Sequence, residues 1–142
     1  MALSFSKQVK NWQNATELRI ELAFQESIQD LAREANTPRD KGGNVPVDTG
    51  FLINSLAAEL NSIPVGPSEP PENYMNQQWD ATPVLLVVNN AKIGDSVTLG
   101  YTANYAQKME LKYAFLRLAA QNWPQIVANV VKKIDKRVKS RK

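Results

Sequence analysis

The stretch SFSKQVKNWQNATELRIELAFQESIQDLAREAN, residues 4–36, decides the fold class of this chain. Apolar side chains recur in it every three or four residues, which is typical of a helix with one apolar face. No glycine or proline interrupts the stretch, and Pro38 disfavours helical backbone at the residue before it. The sequence therefore predicts one long helix over 4–36 whose apolar stripe packs on a sheet or on another helix. The stripe comprises Phe5, Val9, Trp12, Thr16, Ile20, Phe24, Ile28, Leu31 and Ala35, widened by Leu18 and Leu22.

Residues 37–62 contain a loop, a short turn and an ambiguous apolar segment. Glycines and prolines make 37–48 a loop, after which Asp48 or Thr49 can cap a helical turn that reaches about Leu52. In residues 55–63 the leucines fit either a helix or an alternating strand, and we favour a strand after the helical turn.

Residues 63–83 form a long loop in which five of the eight prolines lie. Loops of this length are uncommon in compact domains and are often functional. This one carries Tyr74, Met75 and Trp79, which are unusual in a plain linker. The aromatic residues either pack back on the body of the protein, or they anchor an arm that docks on a neighbouring subunit.

The segment from Val84 to Asn89 is rich in valine and leucine and is predicted to be a central strand. After a turn, Ser96–Thr102 alternates, with Val97, Leu99 and Tyr101 on one face. Together the two segments predict an antiparallel hairpin.

Helical spacing returns from Ala103 onward, first as a short helix around Tyr105, Ala106 and Met109 and then over about 115–138. Pro124 either kinks this last helix or begins a second one. Trp12 and Trp123 lie on apolar helix faces, so both are predicted to be core residues. The predicted fold is a single α+β domain over 1–142: a small antiparallel β-sheet packed against long N-terminal and C-terminal helices, with a long Pro-rich loop.

Composition excludes several classes of function. The 142 residues include no cysteine and no histidine, which excludes disulfides, Ser-His-Asp and Cys-His catalysis and the usual transition-metal sites. We expect no cofactor and no bound metal. The sequence shows neither a secretory signal nor an apolar run long enough to span a bilayer, so no membrane association is expected.

Basic residues concentrate in the last eleven positions. Residues 132–142 hold seven of the 17 basic residues and one of the 14 acidic ones, so the remainder carries ten basic and 13 acidic residues. Such a tip either complements the dipole of a helix and stays solvated, or contacts DNA or an acidic partner. The basic residues are Lys132, Lys133, Lys136, Arg137, Lys139, Arg141 and Lys142.

Asp48-Thr49-Gly50 matches the active-site triplet of the aspartic proteases, in which two aspartates share a proton. A dimeric enzyme of the retroviral type is therefore one alternative function. The long N-terminal helix and Phe51 after the triplet argue against it, because those enzymes are almost wholly β. A small nucleic-acid-binding module that uses the basic tip is a further alternative.

The order of the motifs resembles the neck, or tail-completion, family of long-tailed bacteriophages. The resemblance rests on Pro46-Val47-Asp48-Thr49-Gly50-Phe51-Leu52-Ile53-Asn54-Ser55 after a long helix, on Tyr105-Ala106 before Glu110, and on Phe115-Leu116-Arg117 at the start of the last helical region. Ala114 stands where the family commonly has proline.

The resemblance implies a structural virion protein without enzymatic activity. It would form a ring, as the six-fold rings of the family do, around the DNA channel and between the head-closure protein and the tail terminator or tail tube protein. The protein would be made in the bacterial cytoplasm and reside in the neck of the virion. The resemblance also implies that Asp48 caps a turn in which Gly50 supplies backbone freedom.

Overall fold

The computed structural model describes residues 4–140 and has the predicted α+β architecture. Long helices lie near both ends of the chain, and a two-stranded antiparallel sheet lies between shorter helices. A single turn of 3-10 helix covers Arg39–Lys41. The other elements are α1 (Phe5–Ala35), α2 (Phe51–Asn54), β1 (Leu56–Leu60), α3 (Thr82–Val88), β2 (Val97–Tyr101), α4 (Ala106–Tyr113), α5 (Phe115–Gln121) and α6 (Trp123–Ser140).

Helix α1 is continuous, as the spacing predicted, and the hydroxyl of Ser4 accepts a hydrogen bond from the Lys7 backbone N–H at its start. Its apolar stripe, however, is buried only in the C-terminal half, where Ile28 and Ala32 are part of the core. The side chains of Phe5 and Trp12 are 83% and 70% exposed. The prediction that the whole stripe packs within the chain, with Trp12 in the core, is therefore wrong.

The sheet pairs β1 with β2, in register from Leu56 opposite Tyr101 to Leu60 opposite Val97. The strand predicted within 55–63 is confirmed, and so is the strand at 96–102. The predicted hairpin is wrong, because residues 84–88 belong to helix α3 and β2 takes β1 as its partner.

Helix α3 begins with Thr82-Pro83, and proline is well tolerated in the first turn of a helix. Val84 and Val88, one turn apart, are buried while Leu86 faces solvent. A short apolar run fits a buried strand and a buried helix equally well, so periodicity alone could not separate them.

The C-terminal region consists of three helices, the first of which is the short helix predicted around Tyr105, Ala106 and Met109. Ala114 adopts a left-handed conformation with φ +53° and separates α4 from α5. Pro124 is the second residue of α6, so the interpretation in which a new helix begins there is confirmed. Helix α6 packs on α1 and buries Ile126, Val130 and Ile134, while Trp123 is half-buried.

Two apolar clusters form much of the core, beside the buried residues between α1 and α6. The first lies around α2, α4 and α5, and the second between α1, the sheet and α3. Tyr101 and Trp79 pack against both clusters and join them. The first cluster contains Val45, Phe51, Leu52, Ile53, Ala103, Ala106 and Phe115. The second contains Ile28, Ala32, Leu56, Ala58, Val84 and Val88.

Candidate functional site

The motifs that carry the family resemblance lie together in the first core cluster, although about 70 positions separate the first of them from the last in sequence. Phe51, Leu52, Ala106 and Phe115 are buried there. Tyr105 and Leu116 pack against them from the side. We call this region the motif cluster: loop 46–50, helix α2, Ser55, Tyr105, Ala106, Glu110 and residues 115–117.

Loop 46–50 turns sharply into α2 at Gly50, whose φ of +86° favours glycine. The Phe51 backbone N–H donates to the Thr49 hydroxyl at 3.3 Å. Asp48 is exposed, and it holds the loop through its backbone carbonyl, which accepts from the Gln77 side-chain amide at 2.7 Å. Of the two residues that the sequence offered as a cap, Thr49 therefore hydrogen-bonds to the first turn. The capping role that the resemblance implied for Asp48 is wrong.

Glu110 supplies the cap that joins α4 to α5. Its two carboxylate oxygens accept hydrogen bonds from the backbone N–H groups of Leu116 and Arg117, each at 2.9 Å. Because the first N–H groups of a helix have no partner within the helix, this carboxylate satisfies two donors at once. The Glu110 and Phe115-Leu116-Arg117 motifs thus form one structural unit.

Asn36 and Tyr101, which the sequence did not single out as site residues, hold the motif cluster to α1 and the sheet. The Tyr101 hydroxyl donates to the Asn36 side-chain oxygen at 2.6 Å, and the Asn36 amide donates to the Ile53 carbonyl at 3.0 Å. The Tyr101 ring meets that of Phe115 edge-on at a centroid distance of 5.0 Å. Burial, and secondarily the negative charge of Glu110, raise the pKa of the Tyr101 phenol far above its ordinary value. At the end of α2, the Ser55 hydroxyl donates to the Leu52 carbonyl at 2.7 Å.

Residues 63–83, which we call the arm, lie on the body of the same chain. The Tyr74 ring meets Phe51 edge-on at 5.5 Å, and Trp79 packs against both core clusters. Of the two interpretations, packing on the body is therefore confirmed for Tyr74 and Trp79. Met75 is 66% exposed and remains available for contacts outside the chain.

Asn54 fastens the arm to α2. Its amide donates to the backbone carbonyls of Asn76 and Gln78, each at 3.1 Å, and its side-chain oxygen accepts from the Asp80 backbone N–H at 2.8 Å. The arm passes so close to Gly50 that a Cβ there would lie 1.7 Å from the Asn76 carbonyl oxygen. Gly50 is thus required both by its backbone conformation and by the arm.

A pocket of about 360 Å³ opens between loop 46–50, Pro70 of the arm, Tyr105 and Met109. Its lining is largely apolar, and Asp48 contributes the carboxylate. Burial, followed by the negative charge of Asp48, raises the pKa of the Tyr105 phenol. Within residues 4–140, no group of three or more acidic side chains is placed to hold a metal ion.

The basic tip forms the exposed side of the last turns of α6. Lys132, Lys133, Lys136 and Lys139 are exposed, and the buried Val130 and Ile134 face the body. Arg137 forms an ion pair with Glu26 of α1 at 2.8 Å, so it anchors the helix. That contact raises the pKa of the Arg137 guanidinium. Arg141 and Lys142, which were also predicted to face DNA or a partner, lie outside the described residues.

No protein-family model, curated protein or solved structure matches this chain. Among the helices of residues 4–140, none is both long enough and apolar enough to cross a membrane.

Proposed function

We propose that this protein is a structural component of the neck of a long-tailed bacteriophage, where it joins the DNA-filled head to the tail. The observation that carries the proposal is the assembly of the family-like motifs into one cluster. Loop 46–50, Tyr105-Ala106 and the unit of Glu110 with residues 115–117 contact the same buried core. Motifs that share one structural context support the resemblance more strongly than short matches taken singly.

Three of the motif residues have structural roles that suit a rigid building block. Gly50 provides a turn, Glu110 caps a helix, and Phe115 fills the core. The proposal assigns no catalytic residue and no cofactor. The partners would be further copies of this chain in a six-fold ring, the head-closure protein on one side, and the tail terminator or tail tube protein on the other.

The exposed lysines of α6 form the surface of this protein that best suits a polyanion. Lys132, Lys136 and Lys139 recur at spacings of four and three and therefore share one side of the helix. Phosphate groups of channel DNA, or an acidic surface of an adjoining ring, would be attracted to this row. The row is short, so it would contribute to positioning and not to sequence recognition.

Deletion of the gene from the genome that encodes this chain tests the proposal. Electron microscopy of the resulting particles should show DNA-filled heads beside separate, finished tails. Wild-type protein supplied in trans should restore joined particles, and the Asp48→Asn variant should restore them equally well. Normal tailed particles after the deletion would contradict the proposal. Loss of rescue with Asp48→Asn alone would favour the aspartic protease instead.

A further inference from the structure

The two-stranded sheet has an open edge along β2. The Asn61 backbone N–H donates to the Ser96 carbonyl at 2.7 Å, which shows that Ser96 faces β1. In an antiparallel pair, residues that face the partner strand alternate with residues whose backbone groups point the other way. The N–H and C=O groups of Val97 and Leu99 therefore point away from β1. Among residues 4–140, none accepts a hydrogen bond from these two N–H groups.

The edge of β2 also lacks the usual protection of an exposed strand. β1 packs on α3, whereas β2 has no comparable neighbour on its other side among the described elements. Leu56 and Ala58 of β1 are buried, but Val97 and Leu99 on the same face of the sheet are only half-buried. Natural proteins usually protect such an edge with proline, lysine, a bulge or a covering element. Within β2 there is no proline and no charged residue, and its pairing with β1 is regular.

An apolar groove runs beside this edge. It has a volume of about 530 Å³ and lies between β2, the C-terminal half of α1 and α5. Phe24 and Leu31 of α1 form one wall, and Leu116 and Ala120 of α5 form another. A strand paired with β2 would therefore meet apolar side chains on the face that it turns towards α1.

We propose that an extended segment of a partner protein binds in this groove as a third strand, paired with the open edge of β2. In this mode of recognition, backbone hydrogen bonds give affinity and pockets for alternate side chains give specificity. Because alternate residues of a strand face opposite sides of the sheet, the segment should have apolar residues at every second position. β2 has five residues, so the pairing extends over about 16 Å at a rise of roughly 3.3 Å per residue.

The unpaired backbone groups of β2 select an extended segment as the occupant. A helix cannot satisfy them, since its own backbone groups are already bonded within the helix. The largely exposed stretch 63–73 of another copy is also unsuitable, because it contains four prolines, which have no N–H to donate. β2 of another copy is flanked by its own α1 and α5, and it would bring these helices against the groove. A tail or loop of a different protein meets neither obstacle.

Asp95 gives one end of the groove a negative charge. Of the described residues that line the groove, it alone is charged. Hydrogen bonds from the Lys92 backbone N–H and the Asn61 side chain keep the pKa of Asp95 below its usual value, so the carboxylate is ionised. The Lys92 side chain lies 3.7 Å from the Glu21 carboxylate, with which it forms an ion pair. A partner segment with lysine or arginine at this end is therefore favoured over an acidic one.

NMR titration of the isotope-labelled full chain with a synthetic peptide tests the pairing. The probe is acetyl-Lys-Val-Thr-Val-Thr-Val-Lys-amide, which alternates apolar and polar residues and carries lysine at both ends. At millimolar peptide, the amide protons of Val97 and Leu99 should move downfield and exchange more slowly with solvent, because they gain hydrogen bonds. The amides of Thr98 and Gly100 face β1 already, so they are internal controls and should move little.

Two N-methylated versions of the probe separate strand pairing from simple apolar docking. Methylation of the valine nitrogens removes one row of donors, and methylation of the threonine nitrogens removes the other row, while the side chains stay the same. Only one row of a strand faces its neighbour. One version should therefore bind at least about tenfold more weakly than the parent peptide, and the other should bind like it.

A pair of protein variants tests the same contact from the other side. Val97→Pro removes an outward N–H at the first residue of β2, where proline is tolerated. Val97→Ala is the matched control, because it shortens the side chain but keeps the N–H. Val97→Pro should bind the probe at least about tenfold more weakly than Val97→Ala. Circular dichroism and thermal unfolding check that both variants fold, and the methylated peptides decide the question if Val97→Pro does not.

Three results would overturn the pairing. The first is an absence of shifts at Val97 and Leu99 with millimolar peptide. The second is equal binding of the two methylated peptides, or of the two folded variants, which would mean that the groove takes apolar side chains without strand pairing. The third is a set of shifts at these amides that depends on protein concentration without peptide, which would mean that a second copy occupies the edge.

Peptide binding depends only on the edge and the groove, so it can fail or succeed separately from the proposed function. Binding of the probe, combined with normal tailed particles after gene deletion, would support the pairing and contradict the neck role. Separate heads and tails, combined with no shift at Val97 and Leu99, would do the reverse.

Discussion

The arm and the N-terminal half of α1 are each found where the sequence would place the other. The arm packs on the core, and the apolar stripe of α1 faces solvent. The arm is rich in proline and polar residues, yet Tyr74 and Trp79 pack on the core of their own chain. The first half of α1 has a regular apolar stripe, yet Phe5 and Trp12 lie in solvent. Local pattern predicts the conformation of a segment, whereas burial also depends on whether a partner surface lies within reach in the same chain.

The two halves of α1 provide the largest contrast. Ile28 is 5% exposed and Ile20 is 54% exposed on the same helix. We expect Ile28→Ala to lower the free energy of unfolding by about 3 kcal/mol, because it leaves a cavity in the second core cluster. Ile20→Ala should lower it by less than about 0.5 kcal/mol.

Urea unfolding at low protein concentration, where the chain is monomeric, measures both losses. Similar losses for the two variants would contradict the comparison, since they would mean that Ile20 is buried in the monomer.

The contact between the arm and α2 is tested by Gly50→Ala. The new methyl group would clash with the Asn76 carbonyl, and residue 50 would keep a positive φ. We expect a loss of about 2–3 kcal/mol in the free energy of unfolding, together with faster proteolysis within 70–80.

Gly94→Ala is the matched control, because Gly94 also has a positive φ, +97°, but no atom within 4 Å of the added Cβ. Gly94→Ala should lower the free energy of unfolding by about 1 kcal/mol and leave the arm as resistant to proteolysis as in the wild type. Equal effects of the two substitutions would show that the arm does not lie on Gly50.

The join between the two core clusters is tested by Tyr101→Phe. Removal of the hydroxyl breaks its hydrogen bond to Asn36 and should cost about 1 kcal/mol at neutral pH. In the folded protein the pKa of Tyr101 is raised, mainly by burial. The wild type therefore keeps its stability below the unfolded pKa of about 10 and loses it as the pH rises further, because the unfolded chain ionises first.

One such tyrosine lowers the free energy of unfolding by up to about 1.4 kcal/mol per pH unit in this alkaline range. In Tyr101→Phe the free energy of unfolding should therefore fall less steeply with pH. Urea unfolding at a series of pH values measures it, and an unchanged alkaline slope would contradict the assignment to Tyr101.

The smallest effect is expected at Asp48. Its side chain is exposed and its backbone carbonyl holds the loop, so Asp48→Asn should change the free energy of unfolding by less than about 0.5 kcal/mol. Thr49→Ala removes the acceptor of the Phe51 N–H and should cost about 0.5–1 kcal/mol. A larger loss for Asp48→Asn than for Thr49→Ala would restore Asp48 as the cap.

Much of the fold could be predicted from local signals. Uninterrupted spacing predicted α1, and alternation predicted β1 and β2. Pro124 indicated either a kink or the start of a new helix, and the structure has the second. Helix α3 could not be predicted, because a short run of valine and leucine fits a buried strand as well as a buried helix. The wrong hairpin followed from that one assignment. With residues 84–89 taken as a strand, β2 was paired with them, whereas in the structure it pairs with β1.

For the motif cluster, the sequence predicted which residues belong to it but not how these residues contact one another. The sequence showed that Glu110 precedes residues 115–117 but not that they contact one another. The contact depends on Ala114, whose left-handed conformation brings Glu110 over the start of α5. Alanine seldom adopts that conformation, so it could not be expected from the sequence. Asn36 and Asn54 were missed for a related reason. An asparagine in a loop or at a helix end is common, and only tertiary contacts show that these two join distant segments.

The central claim is that this protein joins heads to tails, and reconstitution of the joint tests it most directly. Particles made without the gene product would be separated into filled heads and tails, mixed with purified wild-type protein, and counted by electron microscopy. The account predicts that joined particles appear in proportion to added protein and that the Asp48→Asn variant works equally well. Heads and tails that join without the protein, or stay separate despite correctly folded protein, would contradict it.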